Sequence, residues 1–271
     1  MNDTGVDSFD GGTGHRGARG GLLRRLASLD LRIAIVLLLV SFSVYLANLR
    51  LISAGDTFPA RYLPFSILKY GTLYLDPVAS VTAQGDPHPY WILHRRGHAV
   101  STYPLVVPLL LTPLYAPTVA WLNIRGWTED RLDRTARLME KFSSALIASL
   151  SVALMYCLLR RRAAPGPAAL LTIAYAFGTN TWMIGSQALW QHGAAELFIL
   201  AALYLLTGAC TEKRALAAGL LCGLIACNRP PDALLSVALG AYGLVWARGR
   251  WRFLVAGGQR LLPCCLPTIC M

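Results

Sequence analysis

The sequence has little charge and almost no lysine. Charged residues make up 14% of its 271 positions, against roughly 25% in soluble domains. Of 25 basic residues only Lys69, Lys141 and Lys213 are lysine, and acids number 14, leaving a net charge of +11. Such a balance usually points to nucleic acid. Here the arginines sit in short clusters between long apolar blocks, where topology signals belong, so no nucleic-acid partner is expected. A soluble core has no need for apolar blocks of this length. Glycine-rich phosphate loops, dinucleotide fingerprints and nucleophile elbows are all missing, which argues against a soluble nucleotide-sugar site. The seven cysteines form no CxxC pair and no metal-like spacing with histidine, so neither a disulfide framework nor a zinc site is expected. Cys157, Cys210, Cys222 and Cys227 lie in or beside apolar blocks, where a thiol packs like alanine. What remains is an all-α, polytopic membrane protein in contact with the lipid bilayer.

Residues 1–30 read as a disordered cytosolic tail, polar and glycine-rich at its start. Arg16, Arg19, Arg24, Arg25 and Arg32 precede the first span and hold this end in the cytosol. That span covers about 33–49. The segment 58–70 reads as a short helix lying in the membrane interface, with Leu63, Ile67 and Tyr70 on one face and Arg61 and Lys69 available to headgroups. Pro59 suits its first turn, and Gly71 ends it. Between residues 78 and 101 the QGDP and RRGH turns allow a small hairpin.

Residues 104–122 are apolar but contain Pro104, Pro108, Pro113 and Pro117, which disrupt a helical ladder. Later spans fall at about 142–159, 167–186, 193–209, 215–227 and 233–246. If 104–122 crossed the membrane, the clusters at Arg160–Arg162, Lys213–Arg214 and Arg248–Arg252 would all face outside. If it does not cross, all three fall in the cytosol. The expectation is a re-entrant or surface-lying segment within a large outer loop, about 50–141. The membrane domain then covers 31–253. Residues 254–271 read as an aberrant or truncated end, so the chain is expected to be an incomplete copy.

Asp56 stands directly after the first span, where acids are scarce and aromatic and basic residues follow. A carboxylate there could act as the base that activates an acceptor. His192 and Glu196 are four residues apart and share a helix face. A glutamate in an apolar block is a functional candidate, and its other reading is that His192 simply satisfies it. Trp190 and Gln191 could stack on and hydrogen-bond to a sugar. His88, His94 and His98 surround two adjacent arginines that would repel a cation, so a divalent metal is not indicated.

The order of motifs resembles the GT-C membrane glycosyltransferases. They are GDTFPARY after the first span, STYPLVVPLLLTPLYAP in an apolar segment, a span ending in basic residues, and LWQHG. The branch most similar is the phospholipid-carrier-dependent, dolichyl-phosphate-mannose type. The resemblance implies transfer of a sugar from a polyprenyl-phosphate donor to an acceptor on the outer face of the inner (plasma) membrane. It implies Asp56 as the catalytic acidic residue. Thr57 stands where the family often has a second acid. A leaving phosphate needs cations, and the candidates are Arg61, Lys141 and Arg229. Tyr62, within the first motif, is a further substrate-binding candidate. A transporter or flippase is the alternative, which would favour internal symmetry and mid-membrane charge; an inactive fragment is the other.

Overall fold

A computed structural model describes residues 14–209 and 211–246. The expected aberrant end, 254–271, and the last residues of the 31–253 domain lie outside the described residues. Helix α1 runs Gly14–Ala47, so it begins inside the stretch read as a disordered tail. Residues 22–32, LLRRLASLDLR, are mostly good helix formers, and an established helix propagates through them at little cost.

A single 3-10 turn, Gly55–Thr57, leads into α2, Phe58–Tyr70. Pro59 occupies its first turn and Gly71 closes it in the left-handed conformation, φ 65°, as the sequence suggests. The interfacial reading of α2 needs correction: residues 59–66 are all buried, Arg61 among them. Arg61 is therefore not available to headgroups, because its charge is met inside the protein.

After α3, Ala79–Ala83, the chain forms the expected hairpin. Strand β1, Ile92–Arg95, pairs antiparallel with β2, His98–Ser101, in the register Leu93 with Val100 and Arg95 with His98. Arg96 and Gly97 make the two-residue turn, both with positive φ, as such turns require. This hairpin is the one departure from all-α architecture among the described residues.

Helix α4, Val106–Arg125, is continuous through Pro113 and Pro117. The expected proline disruption is not seen. The hydroxyls of Thr112 and Thr118 donate to the carbonyls of Pro108 and Tyr115 within it. Helix α5, Glu129–Leu159, has 31 residues and at ~1.5 Å per residue is about 46 Å long. The span expected at 142–159 is only its second half. Helix α6, Pro165–Gly178, stops short of the expected 186 and is followed by a π-helical turn, Thr181–Gly185. Helices α7 (Gln191–Leu206), α8 (Glu212–Asn228) and α9 (Ala233–Trp246) fall close to the expected spans. Cys157 and Cys222 carry free thiols. Cys227 packs against the main core as expected but is disulfide-bonded, which the sequence does not lead one to expect.

Side-chain bonds fix how these helices run. Arg160 pairs with Asp30 at 2.7 Å, and Lys141 donates to Asn48 at 2.9 Å. Helices α1 and α5 are therefore antiparallel neighbours. The chain leaves and rejoins this pair at the same end, so the segment 49–140 makes no net passage along it. Helix α6 climbs to that end, where Tyr45 donates to the Ala176 carbonyl at 2.8 Å. Helix α7 descends to the other, where Arg161 reaches Thr207 at 2.7 Å. Helix α8 returns, and Asn228 donates to the Gln191 carbonyl at 2.8 Å. The segments around Asp56, Trp190 and Arg229 thus gather at one end of the bundle.

Among the described residues, three helices are long and apolar enough to cross a membrane: α1 from Ser28, α4 and α5. Helix α1 also exposes Leu31, Ile35, Val36, Leu39 and Val40. Apolar faces of this kind mark contact with membrane or partner. These features are compatible with a membrane protein. The main core joins α2, α4 and α5 to α7 and α8 through Phe65, Tyr115, Ile147, Phe198 and Ile225.

Candidate functional site

Two loops at that end are tied together by backbone. The Trp190 indole donates to the Ile52 carbonyl at 2.9 Å, and the Ile52 amide donates to the Gln187 carbonyl at 3.4 Å. Behind them stands Glu140 of α5, fully buried. It receives the Leu189 amide at 3.2 Å, the Ser53 hydroxyl at 3.0 Å and the Arg61 guanidinium. The next residue, Lys141, donates to Asn48, the Ser186 carbonyl and Gln187. One turn of α5 therefore clamps both loops.

The clamp sets Asp56 across from the start of α7. Both Tyr103 and Tyr90 donate to the same oxygen of Asp56, at 2.6 and 3.0 Å. Burial first, and then the Asp56 carboxylate, push both phenols up, so they stay protonated donors. Gly55 lies under these rings: a Cβ there would come within 2.2 Å of Trp91 and 2.6 Å of the Tyr90 hydroxyl. Asp56, Tyr103, Trp190, Gln191, His192 and Arg229 line one cavity of about 580 Å³. Arg229 is held by Asp232 at 2.9 Å and remains about a third exposed. His192 is exposed, and its ring tilts 34° to Trp190 at 6.4 Å. The Gln191 side-chain amide nitrogen is buried and has no hydrogen-bond partner among the described residues.

Five of the nine residues singled out from sequence thus meet: Asp56, Trp190, Gln191, His192 and Arg229. The other four do not line this cavity. Arg61 is sealed against Glu140. Tyr62 is buried and donates to Asp133, which Arg137 also holds; burial first, then Asp133, pushes its phenol up to about 12. Lys141 faces neutral loop oxygens. Glu196 accepts from Tyr175 at 3.1 Å and Thr181 at 3.0 Å, so the expected His192–Glu196 contact is replaced by these hydroxyls. Sequence reasoning missed Glu140, Tyr90 and Tyr103. Glu140 carried a signal, an acid at the edge of an apolar block, like Glu196. Among the described residues no three of His, Cys, Asp and Glu converge as a metal site would need. No family model matches the sequence, and no curated protein or solved structure matches it.

The cavity brings a carboxylate, a guanidinium, an imidazole and an indole into one lining. That arrangement can take a proton from a neutral nucleophile and hold an anion in the same enclosure.

Proposed function

We propose that this chain is a multi-pass membrane glycosyltransferase of GT-C type. It moves a sugar from a polyprenyl-phosphate donor to an acceptor at the outer face of the membrane, with its N-terminus in the cytosol. The observation that carries the reading is the shared cavity, lined by Asp56 together with Arg229, His192 and Trp190. The motif order supports it, as does the gathering of the candidate outer loops at the bundle end away from Arg160 and Arg161. The antiparallel α1–α5 pair supports an outer segment with no net crossing by α4.

The reaction is a single displacement. Asp56 takes the proton of the acceptor hydroxyl as its oxygen attacks the anomeric carbon. The bond from that carbon to the phosphate oxygen breaks, and the electron pair leaves with the polyprenyl phosphate, inverting the sugar. Arg229 and His192 stabilise the departing phosphate, and Trp190 stacks on the sugar face.

Asp56→Asn keeps shape and removes the base. Transfer should fall by about 10²- to 10⁴-fold, with donor binding intact, while Arg229→Gln weakens donor binding. The test is transfer and binding of a radiolabelled polyprenyl-phosphate sugar by protein in proteoliposomes. Near-normal transfer by Asp56→Asn, or no donor binding by the unaltered chain, would sink the proposal.

A further inference from the structure

The buried pair of Arg61 and Glu140 is served by the chain on one side only. Glu140 takes the Leu189 amide, the Ser53 hydroxyl and the guanidinium. Arg61 Nη1 has no partner from the chain, and neither do the hydroxyls of Tyr115 and Ser143. Each of these three residues is 0% exposed. Both hydroxyls are exceptions to a pattern. Ser144, Ser149 and Ser151 on the same α5 donate back to carbonyls of their own helix, which is how a helical serine is commonly satisfied. The other fully buried tyrosines among the described residues, Tyr45, Tyr62 and Tyr156, each donate to an oxygen.

Three helices bring these groups together. Glu140 and Ser143 are three residues apart on α5 and share a face. Arg61 meets Glu140 from α2. Tyr115 comes from α4, its ring packed on Phe65, one turn after Arg61, with centroids 5.1 Å apart. Its phenol lies within electrostatic reach of Glu140 and Arg61 and beside the Ser143 hydroxyl. A buried polar group without a partner carries the full cost of its lost hydration, so three side by side require a small ligand. Charge excludes a halide: Glu140 already balances Arg61, and an added anion would leave net charge in the core. The guanidinium excludes a cation. A neutral molecule that accepts twice and donates once fits all three.

We propose that Arg61, Tyr115 and Ser143 hold a buried water, the joint at which α2, α4 and α5 meet. Its oxygen accepts from Arg61 Nη1 and from the Tyr115 hydroxyl, and one of its protons goes to Ser143 Oγ. Three hydrogen bonds are typical of a buried structural water. None of the three residues lines the first cavity, around Asp56, or a second one between α2 and the hairpin. The site therefore stands whatever the chain catalyses.

The test is a crystal structure of the full chain at a resolution that shows waters, with a bromide soak, beside Tyr115→Phe and Ser143→Ala. The unaltered protein should show one peak about 3 Å from all three polar atoms. Tyr115→Phe keeps the ring on Phe65 and should lose the peak, as should Ser143→Ala. Each change should lower the melting temperature, and the double variant by less than the sum, because both act through one water. Direct bonds among the three side chains, with no peak between them, would overturn the proposal. So would a peak unchanged in both variants, or melting shifts that simply add. An anomalous bromide signal at the peak would make the ligand an anion and refute the neutral one.

Discussion

Glu140→Gln is the most informative single change in this protein. Glutamine has nearly the same shape and still accepts the Leu189 amide. What it removes is the charge opposite Arg61. Both side chains of this pair are 0% exposed, and Arg61 already has one terminal nitrogen without a partner. The substitution therefore leaves a buried guanidinium uncompensated, which costs about 3–5 kcal/mol. Arg61→Met in the same chain removes that stranded charge. The double variant should be far more stable than the two single losses predict, with a coupling near the top of the roughly 0.5–3 kcal/mol range for contacting residues. Unfolding in mixed micelles, followed by circular dichroism, gives all three values. If the two losses simply add to within about 0.5 kcal/mol, Glu140 and Arg61 are not the clamp described above. Ligand binding in the first cavity should fall with stability in Glu140→Gln, because the same carboxylate holds Ser53 and the Leu189 amide.

Three further outcomes are expected. Gly55→Ala drives a methyl into Trp91 and Tyr90 and should cost about 1–3 kcal/mol as an overpacked site, with a shift in tryptophan emission; unchanged emission and stability would contradict the packing. In an alkaline titration followed by phenolate absorbance, Tyr62, Tyr90 and Tyr103 should ionise later than free tyrosine. Their protons are kept by the folded state and lost by the unfolded chain, so stability is full below a pH of about 10 and falls above it; uniform ionisation of every tyrosine near the ordinary value would contradict the shifts. In vesicles, cysteines placed at Arg137 and Arg162 should react with impermeant reagents from opposite sides, because α5 carries them to opposite ends of the bundle; labelling of both from one side would remove the membrane reading of α5.

Much of the helix order was legible because its punctuation is local. Pro59 and Gly71 bracket α2, and the RRGH turn marks the hairpin. The apolar blocks placed α7, α8 and α9 within a few residues. What was hidden depends on pairing across long stretches of chain. A lysine or arginine beside a span looks available to a ligand until the carboxylate that neutralises it is known. Arg61 finds Glu140 79 residues later, and no spacing rule reports that. Glu140 itself was overlooked because the helix was expected to begin at 142, which left it in a loop. The prolines of α4 argued for disruption, yet the helix runs through them. Asp56 and His192 could be set on one side by counting spans, whereas the tyrosines that hold Asp56 look like any other aromatic loop residues.

The indole-to-carbonyl bond between Trp190 and Ile52 joins residues 138 positions apart. At ~5–20 residues per second, a ribosome takes about 7–28 s to cover that distance. The Asp56 loop is therefore made early and must wait for its opposite wall. Through much of that interval Arg61 has no Glu140 to face and remains a bare cation with a strong demand for water. It cannot sink into the core before α5 emerges, so α2 is expected to dock late. Variants that slow the arrival of α5 should lengthen the time during which the half-built loop is open to proteases, without altering the finished protein.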